Sequence, residues 1–383
     1  MNEVLRKIEM PDGHQRWWVT RHSQARTLLS DTRFTSNPSL MGDSSPMDPL
    51  LPEAVAEALR GELLLGDPPQ HTRMRKIVMS AFNYHAISAI RPAVERIVGE
   101  LLDEVAGRSE VDLFADFAAP LPTLVLAEYL GFPLKDALAI HHHCDVYTSE
   151  LKPNSDYLES GKRLTAACLW LRDYTLRLTR HKLAEPDDRL ISQLAKHLDE
   201  EELASLVFEL LIGGQSTTTQ LIVRGVRLLL THGDQLTRLR ANPTLLPKAV
   251  DECLRHDPPL PVSLVRMAKE PIDIDGVTIH AGDTLVCSLA DINHDDAQFS
   301  APDQFNIDRS DNQHLAFGHG VHRCVGANLA RLQAEIAISA LLKRYDHIEL
   351  AVPDADLNWK ETTLLAKLTT LPLRVEERRT YES

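Results

Sequence analysis

The chain has 383 residues, and 41 Lys and Arg against 55 Asp and Glu leave a net charge of −14. That balance argues against a general nucleic-acid binder, and no uninterrupted apolar stretch approaches the ~18 residues of a membrane span. Hydrophobic residues at 43% and charged residues at 25% describe a soluble globular protein with ample core. In chain order, Met1-Asn2-Glu3-Val4 lacks a signal-peptide layout. Residues 17–20 read as a short strand, 23–29 as a short helix, and the Ser-, Pro-, Met- and Asp-rich residues 35–50 as a long loop. Helical spacing of apolar residues dominates from about 71 to 255, notably over 87–105, 121–130, 163–183 and 201–230. Strands follow at 262–268, 272–279 and 284–289, punctuated by Gly276 and Gly282. A helix returns over 327–344, and 363–375 reads as a final hairpin. No repeat or linker separates these segments, so the expectation is a mainly α protein with small β-sheets, residues 1–383 forming one domain.

Five cysteines (Cys144, Cys168, Cys253, Cys287, Cys324) are scattered and never spaced Cys-x-x-Cys. That excludes a disulfide scaffold and points to a reducing cytoplasm. Cys324 differs from the others in its setting, Phe317-Gly318-His319-Gly320-Val321-His322-Arg323-Cys324-Val325-Gly326. Glycines let backbone turn sharply and approach a flat ligand, and a cysteine just before a helix has its thiolate favoured by free N–H groups. The competing reading, an inert cysteine in a tight turn, is weakened because Phe-Gly-x-Gly-x-His-x-Cys-x-Gly fixes so many positions together.

This loop resembles the heme-binding signature of the cytochrome P-450 family, and the resemblance runs from about residue 18 to 375. It implies a helix-rich triangular prism around a buried heme b. The helical core would be residues 71–255 and 325–345, the β-rich and meander segments 256–316, and the heme loop 317–326. Cys324 would be the axial ligand of the heme iron, with Phe317 shielding the thiolate, His322 reaching a propionate and Gly318, Gly320 and Gly326 shaping the loop. His71 and Arg75, four apart on one helix face, and Arg266 match the family's other propionate partners; an arginine fork suits a carboxylate. Glu252 and Arg255, three apart on a helix, with the later Arg309, match its structural ion-pair network.

Residues 201–230 resemble the family helix that crosses the oxygen-binding face. Gly213-Gly214 permits a local widening and Thr217 matches the expected alcohol, but Ser216 stands where an acid is usual. A serine can only pass a proton along a chain, so water or a substrate group would complete the relay. Glu209, one acid in an apolar run, either meets a cation on another helix or accepts a hydrogen bond from a substrate. Leu65, Val262, Leu264 and Leu364, with the loop from Met41 onward, are the candidate apolar substrate contacts. The family's extra N-terminal helix has no counterpart before residue 17, so either it is absent or the start is internal. His141-His142-His143 is expected to be a solvated helix face, because helical neighbours cannot converge on one ion.

The resemblance further implies dioxygen as co-substrate and electrons from NAD(P)H through a ferredoxin-type donor and its reductase. The donor would dock on a basic patch of Arg73, Arg75, Lys76, Arg323 and Arg331. Monooxygenation of a largely apolar secondary metabolite by a monomer is the leading expectation. Oxidative C–C or C–N coupling, for example of an aromatic diketopiperazine, and a non-catalytic heme- or ligand-binding role are the alternatives.

Overall fold

Apolar periodicity builds a helical body, and the strands gather at its margins. The computed structural model describes residues 5–10, 13–41, 61–150, 157–361 and 366–378. The strand Gln15–Val19 (β2) pairs antiparallel with Arg6–Glu9 (β1) and parallel with Thr284–Cys287 (β8). Arg266–Ala268 (β5) and Phe34–Thr35 (β3) complete this five-stranded sheet. Its buried side chains, among them Val19, Leu285 and Cys287, pack with Leu28 and Leu29 of the helix His22–Ser30 into a small second core. The described residues before Val19 form a hairpin of β1 and β2.

The main core is helical. Glu200–Gly214 is buried on nearly every side from Leu203 to Ile212, the pattern of a helix through the centre of a fold. Asp199 caps it, accepting from Glu202 N–H while Glu202 returns a bond to the Asp199 N–H. The helix Ser216–Thr231 follows and packs on Ala327–Arg344, Leu246–His256 and Pro120–Leu126. Removing the buried Leu211 side chain down to alanine would cost about 2–5 kcal/mol.

Several expectations need correcting. The expected 201–230 helix is interrupted at Gln215 (φ −103°, ψ −77°). The 87–105 segment is two helices, Tyr84–Ala89 and Arg91–Glu104, because Pro92 suits a helix start and not its interior. Only Arg266–Ala268 of the 262–268 strand is extended in a sheet, with Val262 making an isolated bridge to Ser288. The expected tail hairpin belongs to two sheets. Ala366–Leu368 (β11) pairs with Trp359–Glu361 (β10), and Pro372–Glu377 (β12) lies between Glu110–Asp112 (β4) and Tyr345–Leu350 (β9). One helical run, Leu113–Gly131, is long and apolar enough to cross a membrane by composition, but 61% of its window is buried inside the fold.

Candidate active site

The cysteine loop is a folded turn, not a frayed one. Gly318 and Gly320 have φ of +69° and +73°, values that suit glycine. Cys324 N–H donates to Phe317 O at 2.8 Å, and Gly318 N–H donates to Leu315 O at 2.8 Å. A Cβ on Gly320 would strike the Leu29 carbonyl, so that glycine seats the loop against the His22–Ser30 helix. Phe317 lies under the Arg331 guanidinium at 4.6 Å, and Arg331 is held by Asp251 at 2.7 Å. Gly326 caps the Ala327–Arg344 helix. Cys144, Cys168, Cys253 and Cys287 are buried, whereas Cys324 alone among the five is exposed. Surrounding protein pushes its thiol up; the Gly326 N–H and the charges of Arg75, Arg323 and Arg331 pull it back.

A crowded positive cluster stands beside the loop. The rings of His71 and His322 lie 4.2 Å apart. Both ring nitrogens of His71 and Nδ1 of His322 are buried with no hydrogen-bond partner. Burial, then Arg75, lowers the His71 pKa; burial, then Arg266, His71 and Arg75, pushes His322 down to about 3. Arg266 is buried with one bond to Leu29 O at 2.8 Å, and burial lowers its pKa. Leaving such polar atoms unpaired is costly, so a ligand bearing carboxylates fits here.

The interrupted helix shapes a second face. Gly213 is exposed although its helix is central, and a Cβ there would meet nothing within 4 Å. Thr217 Oγ1 donates to Gly213 O at 3.1 Å. Gln215 turns the other way: it accepts from Thr123 Oγ1 at 2.8 Å and donates to Cys144 Sγ at 3.3 Å. These bonds hold the break at Gln215.

The chain's residues 156–372 match the cytochrome P450 family model. The cytochrome P450 monooxygenase PikC of Streptomyces venezuelae is 37% identical over 96% of this chain and 87% of its own length. This chain belongs to the cytochrome P450 family. The mycinamicin IV hydroxylase/epoxidase of Micromonospora griseorubida is 35% identical over 97% of this chain and 92% of its own. The structure of P450BioI with an acyl carrier protein bearing hexadec-9Z-enoic acid superposes at TM-score 0.91, with 31% identity over 98% of this chain and 96% of that one. The expected helical fold with small sheets and the monooxygenase class are thereby established.

The family's heme fits the residues present. A flat macrocycle with two carboxylates answers the orphaned His71 and His322 nitrogens, the buried Arg266 and the half-buried Arg75, and the exposed Cys324 answers its iron.

The P450 ion-pair residues are fully internal. Glu252 and Arg255 are 0% exposed and joined by bonds of 2.8 and 2.9 Å. Arg309 Nε donates to Glu252 at 3.1 Å, and Arg255 Nη1 donates to the carbonyls of Asn293 and Pro302 at 2.9 and 2.8 Å. The network ties the Leu246–His256 helix to the segment that leads into the cysteine loop.

The candidate substrate residues are less uniform. Leu65, Val262 and Leu264 are half-buried, while Leu364 and residues 42–60 lie outside the described residues. Glu209 corrects the sequence reading. Its carboxylate accepts from Leu64 N–H at 2.7 Å and Leu63 N–H at 3.4 Å, so backbone takes the place of the expected cation. Gly61 lies so close that a Cβ there would overlap this carboxylate. His141 and His143 are packed, not solvated: His143 stacks on Trp170 at 4.2 Å. No metal-ligating cluster occurs among the described residues. The basic patch is thinner than expected, because Arg73 pairs with Glu202, Arg75 donates to Arg323 O and Arg331 is held by Asp251. Gln215 and Lys367 were missed. Gln215 carries no local signal, and Lys367 acquires its surroundings only through the fold.

Proposed function

We propose that this P450 inserts one oxygen atom, by hydroxylation or epoxidation, into a largely apolar secondary metabolite. Bound at Cys324, heme supplies dioxygen activation. His71, Arg75, Arg266 and His322 would hold its carboxylates, with Gly318 and Gly326 shaping the loop beside it and Phe317 covering the sulfur side. Thr217 keeps a hydroxyl proton at Oγ1 on the opposite face, where Gly213 leaves space and Gly214 packs against Leu126. The single observation that carries oxygen activation over a binding role is this retained alcohol, bonded to Gly213 O at the helix break. Relatives named a mycinamicin IV hydroxylase/epoxidase and a 6-deoxyerythronolide B hydroxylase support oxygen insertion, while a relative whose structure is described as serving C–S bond formation keeps coupling as the second reading. The half-buried Leu65, Val262 and Leu264 suit such an aliphatic guest.

Electrons would come from NAD(P)H through a ferredoxin reductase and a ferredoxin-type protein. Arg323 and Lys76, both exposed and without an ion pair among the described residues, would receive its acidic face. The chain would act as one domain and as a monomer in the cytoplasm, where its free cysteines stay reduced.

The test is incubation of the reconstituted chain with NADPH, reductase, ferredoxin and a panel of macrolactones and other polyketides. Products heavier by one oxygen atom support the reading. Products lighter by two hydrogens, or of dimer mass, favour coupling. Heme binding with no product from any substrate favours a binding role.

A further inference from the structure

The helix break leaves Ser216 where the family's acid is expected, yet its hydroxyl is not isolated. Ser216 Oγ lies 3.0 Å from Thr148 Oγ1 of the helix Ala137–Glu150. Thr148 Oγ1 accepts from Lys367 Nζ at 2.6 Å. The same ammonium donates to Asp145 Oδ1 and to Ser149 Oγ, each at 3.1 Å, so all its protons are engaged. Lys367, Thr148 and Ser149 are buried, while the Asp145 side chain is 45% exposed. A continuous polar thread therefore runs from solvent at Asp145, through Lys367 and Thr148, to Ser216 beside Thr217. A purely structural pair would not need the second hydroxyl at its inner end. Nor is Lys367 open to a substrate carboxylate, since its side chain is only 4% exposed.

We propose that Lys367, through Thr148 and Ser216, replaces the missing acid as the proton-delivery path for oxygen activation. The inference rests on the monooxygenase reading. In each step Lys367 gives a proton to Thr148 Oγ1, Thr148 gives its own to Ser216 Oγ, and Ser216 releases its own to water, which carries it toward Thr217. Lys367 is then reprotonated from solvent beside Asp145. One proton enters and one leaves, and it is consumed as dioxygen is reduced by the ferredoxin's electrons. Thr148 can serve because its hydroxyl has alternative acceptors at Cys144 O, 3.1 Å away, and at Ser216, and so can reorient. Burial lowers the Lys367 pKa, which eases proton release; Asp145 raises it, Lys360 lowers it further, and His141 is the other titratable group near the ammonium. Lys367 acts through Ser216 and is a positioning and relay residue, not a group that touches the substrate.

The test uses heme-loaded protein and the variants Lys367→Met, Thr148→Val and Thr148→Ser. NADH-driven dioxygen consumption, with a plant-type ferredoxin and its reductase, should fall about tenfold or more in Lys367→Met and Thr148→Val. The solvent deuterium isotope effect should rise, and Thr148→Ser should recover most of the rate. Guaiacol oxidation driven by hydrogen peroxide brings its own protons and should fall far less. A parallel loss of both oxidant routes would overturn the relay in favour of a structural role, and unchanged dioxygen consumption and isotope effect would overturn it outright. A retained thiolate-type carbon monoxide spectrum in the variants would show that the heme reading itself still stands.

Discussion

Glu209 shows how a carboxyl buried among apolar residues can be satisfied by backbone. Its carboxyl is buried, and burial raises its pKa to about 7 against the bonds from Leu64 and Leu63 that lower it. The folded state thus holds a proton that the unfolded chain releases near 4.5. Its contribution is fully present below about 4.5 and is lost as pH rises through about 7. Unfolding free energies of the wild type from urea titrations should therefore decline over that window by up to about 3 kcal/mol more than those of Glu209→Gln. Parallel pH profiles would show that the carboxyl titrates normally. At the same site Gly61→Ala should push the carboxylate off Leu63 and Leu64, lowering the melting temperature by several degrees, about 1–3 kcal/mol.

At the scale of elements, the meander and the cysteine loop depend on one buried charge network. Glu252→Gln leaves Arg255, at 0% exposure, without its counter-charge, a loss of about 3–5 kcal/mol. Little folded, heme-bearing protein should be recovered from that variant, and normal yield and melting would contradict the role. Gln215→Leu should cost about 1–3 kcal/mol in thermal unfolding, because the buried Thr123 Oγ1 loses its 2.8 Å acceptor and keeps only the 3.4 Å approach to His141 Nδ1.

Local features of this kind were legible in sequence. The cysteine loop is ten contiguous residues, and the 327–344 helix was bounded correctly by Gly326 before it and Tyr345 after it. Glu252 and Arg255 are one helical turn apart. What was not legible depends on contacts between distant residues. Leu64 and Glu209 are 145 positions apart and Lys367 and Thr148 are 219 apart, so neither bond leaves a periodic trace. Tyr345–Leu350 was missed because a strand alternates over too few residues to stand out directly after a long helix.

At the scale of the whole molecule, a net charge of −14 repels an acidic electron donor except where local cations focus attraction. With Arg73, Arg75 and Arg331 engaged elsewhere, Arg323 and Lys76 carry that attraction. Arg323→Glu should raise the apparent KM for ferredoxin about tenfold at low salt, and the difference should shrink as salt screens it. An unchanged KM would place the donor elsewhere. The two cores meet around the site: the sheet-side core supplies Arg266 and seats Gly320 against Leu29, while the helical core supplies His71 and Thr217.

The most direct measurement is the difference spectrum of the reduced protein with carbon monoxide, recorded for the wild type and for Cys324→His. Thiolate-type absorption in the wild type, changed to an imidazole-type band in the variant with heme retained, is the expected result. A wild type that takes up no heme, or a thiolate-type band that survives replacement of Cys324, would contradict it.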